Sequence, residues 1–455
     1  MNRSTSQNYE KSEDKVLDEL DASSVDSYDH TQRKLKNRHI QLMAIGGTIG
    51  TALFVQIGSA LTQGGPASLF IAFTLWSTFI LAINNCLSEM VTWIPISSPF
   101  VRFADHFVDP ALGFCAGINF FVFETMLIPF EVTAFNLVLQ FWTDKIPLVA
   151  AICFVLVCYL ALNLWTVRYF GESEFWFASG KVILAVGLIF FTFVTMVGGN
   201  PIHDAYGFRF WNRSFVGFLA CFIQASFTIA GPDMVSIAAG EVQNPRKILP
   251  RAFNSVFYRL TTFFVMGSLC VPHRYVIAMQ RLKIPVLPHI VNALVLTSIF
   301  SAGNSYGKAP AIFKRCSRNG VPVYCVIVTL AMSLLSFLQV SNNSAVVLEW
   351  FVNLVTASQL LNYAIICFTY MRFYKASRLH SLDSPNANRC SSRNRYYGFT
   401  GTIIMAFVGG YTVFLPGKWD IPSFFFSYTM IGILPVLFVF WKFYRGTQVR
   451  VFLRE

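Results

Sequence analysis

The chain has 455 residues, of which 55% are hydrophobic and only 13% charged, and its mean hydropathy is +0.53. A soluble domain carries about 25% charged residues, so this composition excludes an ordinary soluble protein and indicates a polytopic membrane protein. The net charge of +12 would suit a nucleic-acid partner. The basic residues instead lie between hydrophobic segments, as topology determinants do, and we expect no nucleic-acid binding.

Residues 1–37 are polar, serine-rich and acidic, which predicts a disordered N-terminal tail. About twelve hydrophobic spans follow, at 40–60, 67–88, 111–138, 147–166, 175–197, 214–239, 252–271, 288–306, 322–340, 346–371, 399–416 and 422–443. With the N-terminus in the cytoplasm, the great majority of Lys and Arg residues fall on the inner side. The sequence thus predicts an all-α integral membrane protein with a membrane domain over 38–445, a short C-tail over 446–455 and both tails cytoplasmic.

The first span contains three glycines within five residues, Gly46, Gly47 and Gly50. Each costs about 1 kcal/mol relative to alanine in a helix, so the run predicts a locally unwound segment. Free N–H groups there suit a carboxylate, and free carbonyls suit an ammonium group. A helix-packing face of small residues would give the same pattern, and this alternative stays open.

Ionisable residues occur inside the third and fifth spans. Glu124 and Glu131 are seven residues apart, so both face the same way along a helix. Lys181 lies about two turns inside the fifth span. Such residues are functional by default, but the glutamates could be structural acids bonded to a neighbouring helix. The lysine could snorkel from a helix end.

The sixth span is interrupted by Gly231–Pro232–Asp233 near its middle. Gly–Pro frees backbone groups that are tolerated at membrane depth only against protein or a watery cavity. Secondary transporters hold their substrates at helix breaks of this kind. We therefore expect a substrate site where this break meets the glycine run of the first span.

Two later spans are short. Only about 12 uncharged residues separate Leu260 from Pro272, where about 20 are needed to cross a bilayer, so the seventh span must include Asn254 and Arg259. The eighth span ends at Gly307.

Several motifs together resemble the fungal amino acid permeases of the amino acid–polyamine–organocation superfamily: RKLKNRHIQLMAIGGTIGTALF, GGPASL, GESEFWF, AAGEVQNPRK, IPVLPHIVNALVLTS and GVPVY. The resemblance implies a leucine-transporter-like fold with two inverted five-helix repeats and two C-terminal helices. It also implies import of an amino acid with a proton at the plasma membrane. No enzymatic activity, cofactor or metal is expected.

The resemblance assigns roles to residues. The substrate carboxylate would bind the loop of Gly46, Gly47, Thr48, Ile49, Gly50 and Thr51. The ammonium group would meet backbone carbonyls from Phe227 through Ala230 to Gly231, with Phe227 as an aromatic lid. Glu131 matches the family's P-x-E pattern and is a candidate for both substrate binding and proton coupling. Lys181, which stands where sodium-coupled relatives hold a cation, and Glu124, which lies outside the general pattern, are further candidates for proton coupling.

The chain departs from that family after the seventh and eighth spans, where the usual outer loop and helix extension are missing. From these two losses we expect poor transport or retention before the cell surface. The alternatives are a non-functional permease remnant and a transporter-like amino acid sensor, although a tail of 37 residues is short for a sensor. Proline or another neutral amino acid is the expected substrate.

Overall fold

The computed structural model describes residues 49–449 except 97, 165–166, 202, 204, 206, 209–210, 212–214, 231, 243, 270–278, 280–285, 306–322 and 380–391. The α-helices within these residues are α1 Ala52–Trp93, α2 Pro99–Phe107, α3 Pro110–Leu139, α4 Leu148–Leu164, α5 Val167–Met196, α6 Phe215–Thr228, α7 Pro232–Ile237, α8 Pro245–Arg259, α9 Met266–Leu269, α10 Leu287–Ser305, α11 Val323–Ser333, α12 Leu338–Ser341, α13 Ser344–Leu379, α14 Ser392–Val408 and α15 Ile421–Arg445. Short 3₁₀ segments lie at Ala238–Glu241, Leu334–Phe337 and Tyr411–Phe414, and a π-helix lies at Leu260–Val265. Among the described residues, five helices are long and apolar enough to cross a membrane, and four shorter helices are also apolar. The all-helical membrane architecture expected from composition is confirmed.

The first two predicted spans are joined without a loop. Gly65 adopts φ 78° and ψ 173°, so α1 consists of two helices that meet at a kink, and Pro66 begins the second of them. Only glycine tolerates such a conformation without a steric penalty from Cβ. The sequence had separated the two spans at 61–66, but this one residue provides the turn.

The outer half of the first span packs antiparallel to α6. The thiol of Cys221 donates to the Ala60 carbonyl at 3.2 Å. A Cβ on Gly64 would lie 2.3 Å from the Gly217 carbonyl oxygen, so the two backbones approach more closely than any side chain allows. This contact brings the N-terminal end of α1 to the same level of the molecule as the C-terminal end of α6, which the non-helical residues Ile229 and Ala230 follow.

Helix α3 packs between the middle of α13 and the last helix, α15. Asn119 Nδ2 donates to the Ser358 carbonyl and to Asn362 Oδ1, both at 2.8 Å. At the N-terminal end of α3, Asp109 caps the helix by accepting from the Ala111 N–H, and it forms an ion pair with Lys442 of α15 at 3.1 Å. Burial alone would raise the pKa of Asp109, but the hydrogen bonds from Ala111, Thr447 and Lys442 outweigh it and hold this pKa below its usual value.

The predicted seventh span, 252–271, is helical over its described residues. Helix α8, the π-helix and α9 form one continuous helical segment from Pro245 to Leu269. Arg259 is inside this segment and 4% exposed. Its Nη2 donates to the Ala252 carbonyl at 3.1 Å and contacts Ser255 Oγ, both toward the N-terminal end of its own helix. The end of the predicted span at 270–271 and the loop that follows it lie outside the described residues, so the expected loss there stays a prediction.

Candidate functional site

Of the two helix breaks expected from the sequence, the one in the sixth span follows the C-terminal end of α6, whereas most of the first-span glycine run precedes the described residues. Ile49 and Thr51, just before α1, are fully buried. The α6 helix ends at Thr228, and Ile229 and Ala230 are non-helical before α7 begins at Pro232. The break in the sixth span is therefore confirmed. Four expected site residues lie outside the described residues: Gly46, Gly47, Thr48 and Gly231.

Thr51 is the polar centre of the site. Its hydroxyl is hydrogen-bonded to the Glu131 carboxyl of α3. It also forms a 3.2 Å hydrogen bond with the hydroxyl of Ser298 on α10. Thr51 and Ser298 are fully buried, and Glu131 is 1% exposed. Three helices that are distant in the chain thus share one chain of hydrogen bonds beside the first break. We call Thr51, Glu131, Ser298 and Lys181 the coupling cluster.

Lys181 lies at the midpoint of the 30-residue helix α5 and is 1% exposed. It is close enough to Glu131 for a favourable charge interaction. A snorkelling lysine would sit near a helix end with its ammonium group in water. Its depth and burial exclude that alternative and place a basic group beside a carboxyl in the protein interior.

An aromatic pair borders the cluster. Phe227, the expected lid, is 4% exposed and meets Phe130 edge to face, with ring centroids 5.1 Å apart. Phe130 directly precedes Glu131 on α3. The same turn of α3 therefore contacts the end of α6 through an apolar ring and the start of α1 through a carboxyl.

Glu124 occupies a different level. It is buried and precedes Glu131 by seven residues on α3, which corresponds to about 10 Å along the helix axis. The two carboxyls therefore lie on one face of α3 but do not share one site.

Sequence reasoning missed Ser298 and Tyr159. Tyr159 on α4 is 5% exposed and donates its hydroxyl to the Ile299 carbonyl at 3.1 Å, next to Ser298. A serine in an apolar span is common and carries little signal by itself. Ser298 could have been selected because the sodium-coupled relatives of the resembled family hold a cation next to the eighth helix. No comparable signal marked the tyrosine.

Comparison with known proteins identifies the family. The amino acid permease family matches residues 39–454. The general amino acid permease AGP2 of Saccharomyces cerevisiae is 44% identical over 474 aligned positions, which cover 91% of this chain and 80% of that protein. A proline-specific permease of Emericella nidulans is 34% identical and covers 93% of this chain and 87% of that protein.

The alignment with the Saccharomyces protein also contains gaps in this chain. Because 91% of 455 residues is about 414, about 60 of the 474 aligned positions have no counterpart in this chain. This agrees with internal losses, although their positions remain a prediction.

The fold is similar to that of a solved manganese transporter from Eremococcus coleocola. The TM-score is 0.56 at 12% identity, covering 90% of this chain and 97% of that one. Identity this low supports only a shared leucine-transporter-like fold. The fold agrees with the family match and the two related permeases. These show that this chain belongs to the amino acid permease family, as a multi-pass membrane transporter of amino acids and not an enzyme.

Proposed function

We propose that this protein is a plasma-membrane amino acid:proton symporter that imports its substrate by alternating access. Residues 38–445 would form the transporter, with residues 1–37 and 446–455 as cytoplasmic tails. The observation that carries the proposal is the buried hydrogen-bond chain from Glu131 through Thr51 to Ser298, next to Lys181.

The direction of this hydrogen-bond chain depends on protonation of Glu131. An ionised carboxylate only accepts, so Thr51 must donate to it, and Thr51 then accepts from Ser298. A protonated Glu131 can donate to Thr51, which then donates to Ser298. A proton arriving at Glu131 thus reverses the polarity of the bonds that join α1 to α10, and this couples protonation to the packing of the moving helices.

Lys181 would set the charge of the cluster. With Glu131 ionised, the two side chains attract each other, and protonation of Glu131 removes that attraction. The balance between the closed cluster and a cluster opened to water or to the substrate carboxylate would then depend on protonation, so proton and substrate would bind together.

The proposed substrate is proline or another neutral amino acid. The free backbone groups at the two breaks suit its carboxylate and ammonium groups. Phe130 and Phe227 supply an apolar wall for the side chain. The names of the two related permeases, one general and one proline-specific, support a neutral amino acid.

The test is uptake of each labelled proteinogenic amino acid in cells that lack their own permeases, with surface level measured in parallel. We expect uptake of proline or another neutral amino acid that rises as external pH falls and collapses with a protonophore. Uptake that ignores pH would overturn proton symport. Surface-localised protein that binds an amino acid without accumulating it would favour the sensor.

A further inference from the structure

Tyr159 of α4 makes a further hydrogen bond to α10, one residue beyond Ser298. Its hydroxyl donates to the backbone carbonyl of Ile299 at 3.1 Å, and its side chain is 5% exposed. Ile299 follows Ser298, whose hydroxyl bonds Thr51. One bond is to the side-chain hydroxyl of Ser298 and the other to the backbone carbonyl of the next residue, so both act on the same turn of α10.

Aromatic rings reinforce the same contact. The Tyr159 ring meets Phe300 nearly edge to face at 5.8 Å, and Phe135 of α3 meets Phe300 in the same way at 5.8 Å. Helices α3, α4 and α10 therefore interlock at the level of Ile299. Tyr159 also lies within electrostatic range of Glu131.

This anchor has a specific mechanical consequence. The Thr51–Ser298 bond is already long for two hydroxyls at 3.2 Å, so a small rotation or shift of α10 would break it. The tyrosine bond opposes both movements, because it joins a backbone atom of α10 to a fully packed ring on α4.

We infer that Tyr159 is a positioning residue of the coupling cluster: it fixes α10 so that Ser298 can bond Thr51 when Glu131 changes its protonation state. The inference rests on the proposed proton symport. Tyr159 itself need not exchange a proton with the substrate pathway, because its effect is transmitted through Ser298.

The informative change is Tyr159→Phe, which keeps the ring contacts and removes only the hydroxyl. We expect the external proton concentration for half-maximal uptake to rise about three- to tenfold, the range that loss of one hydrogen bond allows. Maximal uptake per surface molecule at the most acidic pH should stay close to that of the original chain.

Tyr428→Phe is the matched control. The Tyr428 hydroxyl donates to the Phe407 carbonyl at 2.9 Å and joins α15 to α14. It is thus the same type of tyrosine-to-backbone bond between two helices, away from the cluster. This variant should leave the pH midpoint unchanged.

A double-mutant cycle separates positioning from general stability. If Tyr159 acts through Ser298, then adding Tyr159→Phe to Ser298→Ala should produce little further shift of the pH midpoint. A merely structural role would give additive effects and a similar loss of surface protein in Tyr159→Phe and Tyr428→Phe.

The measurement is surface-normalised uptake of L-proline, or of whichever amino acid the panel identifies, between about pH 4.5 and 7.5. Binding of the same labelled amino acid to the purified full chain gives the midpoint even where uptake is weak. An unshifted midpoint in Tyr159→Phe, or a fully additive cycle, overturns the inference while proton symport stands. A pH-independent original chain overturns the proposed function itself.

Discussion

Two regions of this transporter bury a basic side chain, and they do so in different ways. In the coupling cluster, Lys181 lies beside Glu131, and the carboxyl bonds onward to another helix. In the seventh span, Arg259 is also withdrawn from solvent, and its described contacts, from Nη2 to Ala252 and Ser255, lie within its own helix.

The difference separates coupling from anchoring. Bonds between helices change when the helices move, so their energies enter the conformational equilibrium. Bonds within one helix move with that helix and contribute the same free energy to every conformation. An interaction of equal strength in two conformations does not shift the equilibrium between them. Buried charge is therefore a candidate coupling group only where its partners lie on another moving element.

The largest effect is expected from closing the break beside the cluster. Gly47→Val should abolish uptake while surface delivery persists, because a β-branched side chain would occupy the space into which the substrate carboxylate must come. Gly187→Val is the control, since a Cβ at Gly187 on α5 would meet nothing within 4 Å. Normal uptake kinetics in Gly47→Val would remove the first-span loop from the site.

Removing the cluster's charges should come next in size. Lys181→Met and Glu131→Gln should each weaken or abolish pH-driven accumulation, because each removes one side of the buried pair. The measurement is accumulation against external pH, normalised to surface protein. If both variants keep full pH-driven accumulation, the coupling group lies elsewhere.

Arg259→Met is the direct contrast to Lys181→Met, because it removes a buried positive charge from the seventh span. We expect the pH midpoint of uptake to be unchanged, with any loss confined to the surface level. A shifted midpoint would show that Arg259 takes part in coupling and would break the distinction between the two regions.

Restoring the missing segments should raise transport, and this change should be smaller than the losses caused by the variants above. About 60 aligned positions of the Saccharomyces relative have no counterpart here, and we expect a version with a full outer loop and a full eighth helix to reach the surface better. The native transcript should be sequenced first, and both versions compared for surface level and uptake. Robust transport by the chain as written would show that the losses are tolerated.

The smallest effect concerns the ion pair between Asp109 and Lys442. Asp109→Asn keeps a capping side chain but removes the charge, so the melting temperature at pH 7 should fall by about 2 °C or less, as a partly exposed ion pair allows. Because the pKa of Asp109 in the folded protein is lowered, its contribution is present above the unfolded pKa and is lost as pH falls through the folded value. The difference between variant and parent should therefore vanish in acid.

Asp420→Asn is the control for this pair. Asp420 caps α15 by accepting from the Ser423 N–H at 3.0 Å. The described side-chain hydrogen bonds of Asp420 are both with Ser423. The variant therefore removes a charge from a helix cap without removing a described ion pair. If Asp420→Asn lowers the melting temperature at pH 7 as much as Asp109→Asn does, then loss of charge at the helix cap, and not loss of the ion pair with Lys442, explains the effect.

Several features of this protein were determined by local sequence. Span-length apolar runs predicted a polytopic membrane protein, and the Gly–Pro pair predicted the break after Thr228. Glu131 and Lys181 were recognised because a charge inside an apolar run is conspicuous without any knowledge of its neighbours. These features depend only on short stretches of sequence. The cost of burying a charge or of interrupting a helix can be inferred from such a stretch alone.

Only the tertiary structure decided what those residues contact. Thr51 and Ser298 are 247 residues apart, and no local pattern pairs them. Likewise, Lys181 proved to be deeply buried and Arg259 to be bonded along its own helix, although both were single basic residues in apolar spans. The physical reason is that the free energy of a buried polar group depends on its partner, and partners are set by which helices pack together.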